Sequence, residues 1–396
     1  MLYRLFCFAM ACCAVAIGCL SPQAALGAAA KPPRSAAPVP LAAITAPDQV
    51  LDGFPVWLGK DRVLDRVVVL VEGFDLQNAV DAPQLLRLVA PAAQRMLHEG
   101  LDLLVVDFPD SHLAPDALAP LVTRAIQAAS RAAKGNLVAV VGLSAGGIVA
   151  RWALVTAEQA GAPLPVHTLL LFDCPNRGAR INPALQALVL RYGKRNDREA
   201  FSCDSARSLI QHVPGKVHWK RIGPRLPAAG RMVPENWTPD DGRSSAFFER
   251  LWALNEQRGY PQKCRVVAVA QGSRRATRST GDLYRIWLPI GHNWQPPMDT
   301  SDCVPGSLMP IMLAVRLRIR MPLGIAGAYM DSIPTFTPTE SALDSGPDEE
   351  PPFDAWYARE DDAPAIAHDT FDPGAVAFVI DVILRRQSVK TLEPGD

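Results

Sequence analysis

The stretch "VVGLSAGGIVARWAL", residues 140–154, sets a single serine, Ser144, between an apolar β-branched run and a helix-forming run. Gly142-Leu143-Ser144-Ala145-Gly146 is a G-x-S-x-G, and the chemistry it could do is nucleophilic attack by a hydroxyl. A strand that turns sharply into a helix at a serine holds that serine in a strained backbone conformation. Side chains at the flanking glycines would meet neighbouring backbone, so both positions need glycine. The turn lifts the hydroxyl above the carboxyl end of its strand, where open α/β sheets place their ligands. The helix N-terminus behind it favours developing negative charge. The plainer alternative is a serine capping a helix in an ordinary strand-to-helix turn.

A serine hydroxyl is a poor nucleophile near neutral pH and needs a base, an orienting acid and an oxyanion hole. One hole donor is expected to be the backbone N–H of Ala145. The second normally comes from the loop after an earlier strand. Here that loop is Glu72-Gly73-Phe74-Asp75, following "VVVLV", and the N–H of Phe74 is the candidate.

These residues need a rigid frame. Near-continuous apolar runs occur at 66–72, 101–107, 136–141, 167–173 and 265–271, the pattern of strands buried on both faces of a parallel sheet. Helical stretches at 83–98, 117–134 and 145–160 separate the first four, which predicts a doubly wound, mostly parallel α/β sheet. The spacing then breaks. A helical cap insertion is expected at about 180–260, with a helix at 245–259 and Trp219, Trp237 and Trp252 shaping an apolar pocket. A second, hairpin-like insertion is expected at about 273–333, where "LYRIWLP" and "VRLRIRM" alternate like strands. Residues 339–365 read as loop-rich, and a closing helix is expected over 374–386.

Composition limits the rest. The chain has 396 residues, 49% of them hydrophobic, with 40 lysines and arginines against 40 aspartates and glutamates. That balance gives no reason to expect nucleic acid as a partner. Residues 1–30 read as a secretory signal peptide: an early Arg4, an apolar run, then small residues in "SPQAALGAAA". Residues 31–50 read as a Pro/Ala-rich linker, and 51–390 as the folded domain. The expected location is periplasmic or secreted, with lipid attachment at Cys19 the lesser alternative. In an oxidising compartment, Cys174, Cys203, Cys264 and Cys303 could form up to two disulfides. Neither the cysteines nor the histidines show metal-ligand spacing, so no metal or other cofactor is expected.

The motifs resemble those of the α/β-hydrolase superfamily, in particular secreted bacterial esterase- and lipase-like members. The resemblance rests on strand-EGF, strand-DFPD, "GLSAGGIVARWAL" and "FDCPNRGARI", over roughly 66–182, and returns weakly at "VVAVAQGS" and "FTPTESALD". It implies an exported serine hydrolase acting on carboxylic esters through a Ser-His-Asp triad in chain order serine, acid, histidine. It implies His368, just before the last helix, as the base, with His292 in "IGHNW" as the alternative. Asp344 is the favoured acid, with Asp331 next, because "FTPTESALD" resembles a stretch near the acid in related proteins. The implied substrate is a small-molecule or lipid ester, and a lipid substrate would bring peripheral membrane contact. The same triad serves acyltransferases and thioesterases. The contrasting class is a non-catalytic binding or envelope-scaffold protein on the same fold, suggested by Glu72 where histidine is more familiar.

Overall fold

The computed structural model describes residues 46–134, 136, 138–193, 195–221, 232–256, 258–274, 286–288, 292–294, 304–308, 319–321, 324–326, 335–360 and 366–384. The chain divides into residues 1–38, outside the described residues, and residues 39–396, to which everything below belongs.

The apolar runs form one eight-stranded sheet. In chain order its strands are β1 (Gln49–Leu51), β2 (Phe54–Trp57), β3 (Val67–Val71), β4 (Asp102–Val106), β5 (Val138–Leu143), β6 (Val166–Phe172), β7 (Arg265–Ser273) and β8 (Ala355–Arg359). They lie side by side as β1-β2-β4-β3-β5-β6-β7-β8. β2 runs against both of its neighbours, and every other pairing is parallel. β3 shows why these runs lack a polar face. Val67, Val69 and Val71 enter one core while Val68 and Leu70 enter the other, and all five are buried. Full burial of each such side chain is worth about 1.5–3 kcal/mol.

Helices cover both faces. α1 (Ala82–Leu88), α2 (Ala90–His98) and the closing helix Pro373–Ile383 pack on one side. α3 (Pro115–Ala132) and α4 (Ala145–Gln159) pack on the other, joined by Phe247, Phe248 and Leu251 from the helix Gly242–Trp252. The single helix expected over 83–98 is two, divided at Val89 (φ −100°, ψ 20°). Pro91, which has no N–H to give, is accommodated in the first turn of α2.

Three strands lie outside the runs read as strands from the sequence. β1 and β2 form a hairpin across Asp52-Gly53, both at positive φ (50° and 92°), the geometry an Asp-Gly turn selects. β8 lies inside the segment read as loop-rich. Its five residues, "AWYAR", are framed by proline and acidic residues that hide their alternation.

Between β6 and β7 the chain forms helices Pro183–Tyr192, Arg195–Ser202, Asp204–Leu209 and Gly242–Trp252, and a hairpin pairing Pro214–Arg221 with Met232–Pro239. The last helix stops at Trp252, short of the 259 expected. Between β7 and β8, the described parts of "LYRIWLP" and "VRLRIRM" each pair with a nearer segment. Ile286–Leu288 pairs with His292–Trp294, and Ile319–Met321 pairs with Gly324–Ala326. Gly306–Leu308 pairs with Thr335–Pro338.

Candidate active site

Ser144 occupies the corner between β5 and α4 with φ 51° and ψ −123°, outside the region that L-residues ordinarily adopt. Its backbone N–H donates to Phe172 O at 2.9 Å, and its side chain makes no capping hydrogen bond, which sets aside the plainer reading of a capping serine. The corner is crowded enough to demand its glycines. A Cβ on Gly142 would lie 2.3 Å from Gly147 Cα, and one on Gly146 would lie 2.1 Å from Glu72 O. Both contacts are with backbone, which cannot swing away.

The loop after β3 approaches the same corner. A Cβ on Gly73 would lie 3.0 Å from Leu143 O and 3.2 Å from Ser144 Cβ. The next residue, Phe74, stacks on His112 at a centroid distance of 5.5 Å. Among the described residues the Phe74 N–H has no acceptor. Ala145 opens α4, so its N–H lacks an intrahelical acceptor as well. Asp75 braces the loop, accepting from Gln77 N at 3.0 Å and Val80 N at 2.8 Å, while Ser111 Oγ accepts from Asp75 N at 3.1 Å.

Glu72, whose carbonyl lies close against Gly146, turns its carboxyl into the protein, where Phe108 N donates to Oε2 at 2.7 Å. Burial pushes this carboxyl up to about 8; the nearby charges of Asp75 and Asp107 add to the rise, and the Phe108 N–H opposes it. The residue standing where a histidine is more familiar is therefore largely an uncharged acid near neutral pH.

The carboxylate on His368 is Asp173, the residue directly after β6. Asp173 Oδ2 lies 2.6 Å from His368 Nδ1, and Oδ1 accepts from Gln271 N at 2.9 Å. The sheet sets this position. Leu143 pairs with Phe172 and Phe172 with Val269, so Ser144 and Asp173 are the first residues beyond two adjacent, register-matched strands. Parallel strands run about 4.8 Å apart. Asp173, like Ser144, has positive φ (48°), which turns its side chain at the end of the strand.

A carboxylate can only accept, so His368 carries its proton on Nδ1, leaving Nε2 as an acceptor. Ser307 Oγ and Thr337 Oγ1 lie 3.3 and 3.4 Å from the same Nδ1. The backbone of His368 is fixed by its N–H to Leu308 O at 2.9 Å, and Phe371 packs on Phe172 with centroids 4.9 Å apart.

Asp344, the favoured acid from sequence, stands in a different network. Arg177 Nε donates to its Oδ1 at 2.6 Å and Tyr260 O–H to its Oδ2 at 3.0 Å, with Arg258 at 3.7 Å from Oδ1. Arg151, fully buried, spans the same region, donating to Gly259 O and Asn176 Oδ1 and lying over the Tyr260 ring at 3.6 Å. With both oxygens engaged by an arginine and a tyrosine, Asp344 makes no hydrogen bond to His368. Asp331 lies outside the described residues. His292 falls in the strand His292–Trp294, and its side chain lies outside what is described. His167 begins β6 at the opposite end of the sheet from Ser144, beside a cavity of about 390 Å³ lined also by Asp65 and Arg66.

Asp173 was within reach of the sequence. It ends the apolar run that follows the run leading into Ser144 and opens "DCPNRGA", yet it reads there as the last residue of that run. Gln271, Ser307 and Thr337 carry no such signal. Cys174, Cys203 and Cys264 hold free thiols, so the expected disulfides among them do not form; Cys303 lies outside the described residues. Cys174 Sγ sits against Gly142 O at 3.3 Å, and Cys203 Sγ accepts from Ala206 N at 3.4 Å as a helix cap. Among the described residues no group of histidine, cysteine and carboxylate side chains is arranged to hold a metal, and no helix is long and apolar enough to cross a membrane.

The strand order, the lone reversed β2 and the strained serine at the corner between β5 and α4 define an α/β-hydrolase fold. No family profile matches the chain, and no curated protein is similar to it in sequence. Among solved structures it is similar to a Bacillus licheniformis lipase in mature form, at 15% identity and a TM-score of 0.34 over 56% of this chain and 73% of that one. A putative esterase from Staphylococcus aureus aligns at 15% identity and a TM-score of 0.30, over 45% of this chain and 60% of that one. An esterase from Exiguobacterium antarcticum aligns at 18% identity and a TM-score of 0.24, over 36% and 53%. The chain thus spans less than two thirds of the length of the latter two.

Proposed function

We propose that this chain is a serine hydrolase that cleaves carboxylic esters, with Ser144 as nucleophile, His368 as base and Asp173 as the orienting acid. The observation that carries it is the Asp173–His368 pair at the strand end adjacent to the elbow, 2.6 Å between Oδ2 and Nδ1.

In this reaction Ser144 Oγ attacks the acyl carbon and its proton passes to His368 Nε2. The carbonyl oxygen becomes an oxyanion held by the N–H groups of Ala145 and Phe74. As the tetrahedral species collapses, the ester C–O bond breaks and the leaving alcohol takes the proton from His368. Water then attacks the acyl-enzyme, giving its proton to His368, and the released Ser144 Oγ recovers that proton as the carboxylic acid departs. Asp173 fixes the imidazole tautomer and stabilises the transient imidazolium; it is not itself protonated. Esters are chosen over amides because the elbow sequence resembles that of esterases and lipases. The leader-like residues 1–30 support export to the periplasm or beyond.

The test is turnover of short p-nitrophenyl esters by the folded protein. A rate above buffer that Ser144→Ala abolishes is expected. A folded protein with no rate above buffer, or an unchanged rate in Ser144→Ala, contradicts the proposal and favours a binding protein.

A further inference from the structure

We propose that Gln271 is a positioning residue that ties the acid and the base of the triad to the end of β7; this rests on the ester-hydrolase proposal above. Gln271 is fully buried, and three of its polar groups are directed at the site. Its backbone N–H donates to Asp173 Oδ1 at 2.9 Å. Its side-chain Nε2 donates to His368 O at 3.0 Å, and its Oε1 accepts from Asp372 N at 3.2 Å. A single residue thus holds the carboxylate and both sides of the histidine loop. With His368 N–H already given to Leu308 O, both backbone groups of the base are anchored.

The anchor itself cannot drift. A Cβ on the next residue, Gly272, would lie 2.4 Å from Gly306 Cα and 2.3 Å from Thr339 Oγ1, so this end of β7 is wedged against two other segments. Asp372, beyond the histidine loop, is held in turn by Tyr357 O–H at 2.7 Å and by Arg359 Nε at 3.5 Å. The titratable and charged groups around Gln271 are therefore Asp173, His368, Asp372, Tyr357 and Arg359. An apolar side chain of equal length would fill the same space but leave His368 O and Asp372 N–H unpaired, freeing the loop that aims the imidazole. Misplacing a catalytic group by about 1 Å can cost on the order of a hundredfold in rate.

Gln271→Met and Gln271→Glu separate positioning from mere packing. The glutamate is isosteric. Protonated, it donates to His368 O and accepts from Asp372 N–H as the amide does; ionised, it faces the His368 carbonyl with a negative charge. Turnover of p-nitrophenyl acetate by wild type and both variants is to be followed from about pH 5 to pH 9, the range in which histidine titrates. Gln271→Met is expected to lose about tenfold or more in kcat with KM little changed. Gln271→Glu is expected to approach wild type at the acid end and to fall progressively below it as pH rises.

A Gln271→Glu to wild-type activity ratio that stays flat with pH overturns the proposal, and so does a folded Gln271→Met with wild-type kcat. Should Gln271→Met fail to fold, the pH-dependent ratio of Gln271→Glu decides alone. A wild type without turnover overturns the ester-hydrolase proposal and this one with it. An active wild type with indifferent variants overturns only this one.

Discussion

His368 Nδ1 lies 2.6 Å from Asp173 Oδ2 across a sequence separation of 195 residues. The contact exists because β6 ends beside β5 in register, so that a carboxylate one residue past β6 starts next to a serine one residue past β5. The histidine reaches Asp173 from the far end of the chain, on a loop held between Leu308 and the β7 terminus.

The two candidate acids separate by substitution. Asp173→Asn removes the acceptor that selects the imidazole tautomer and is expected to lower kcat by about 10³–10⁴, the scale for loss of the triad acid in serine proteases. Asp344→Asn is expected to keep the activity but lose stability, by roughly 3 kcal/mol, because Arg177 and Tyr260 lose a buried anionic partner. Ester turnover and chemical denaturation on both variants check this; the opposite pattern would restore Asp344 as the acid.

Glu72 gives a pH signature. Its folded carboxyl titrates at about 8 rather than near the ordinary 4.5, so the native state favours the protonated form. The stability this contributes is fully present below about pH 4.5 and is lost as pH rises through 8. The loss is on the order of 3–5 kcal/mol. Glu72→Gln, which can still accept from Phe108 N, is expected to remove this slope and to be the more stable protein at pH 9. Urea denaturation at several pH values measures it, and equal slopes for the two proteins would contradict it.

Gly147 tests how tightly the helix behind the serine is packed. A Cβ there would lie 2.1 Å from Cys174 Sγ, 3.0 Å from Leu171 Cδ2 and 3.3 Å from Cys174 Cβ, the sulfur being much the closest. Gly147→Ala is expected to destabilise by about 1–3 kcal/mol through overpacking. Cys174→Ala in the same chain is expected to recover much of that loss, since the obstructing atom is a side-chain sulfur rather than backbone. A double-mutant cycle reads the coupling; strict additivity would contradict the packing described.

Much of the fold and part of the candidate site were legible in the sequence, and the limits have physical causes. Ser144 stands out in the sequence because its corner needs a backbone conformation that only particular neighbouring residues permit. The buried strands β3 to β7 could be found because burial on both faces leaves an unbroken apolar run. His368 was singled out by its place before the last helix, and the structure sets it against Asp173. Asp173 and Gln271 were not singled out because their contacts with His368 arise from strand adjacency, which the linear pattern of one chain does not record. Asp344 was favoured on a motif resemblance, which carries no record that Arg177 and Tyr260 occupy both of its carboxyl oxygens. β8 was missed because five residues between acidic and proline-rich stretches are too few to show a period.

The most direct measurement is covalent labelling of the folded protein with a fluorophosphonate, followed by mass-spectrometric mapping of the modified residue. The adduct is expected on Ser144, forming more slowly in Asp173→Asn and His368→Ala and absent from Ser144→Ala. A folded protein that stays unmodified, or one labelled equally well without the Ser144 hydroxyl, would contradict an activated nucleophile at this corner.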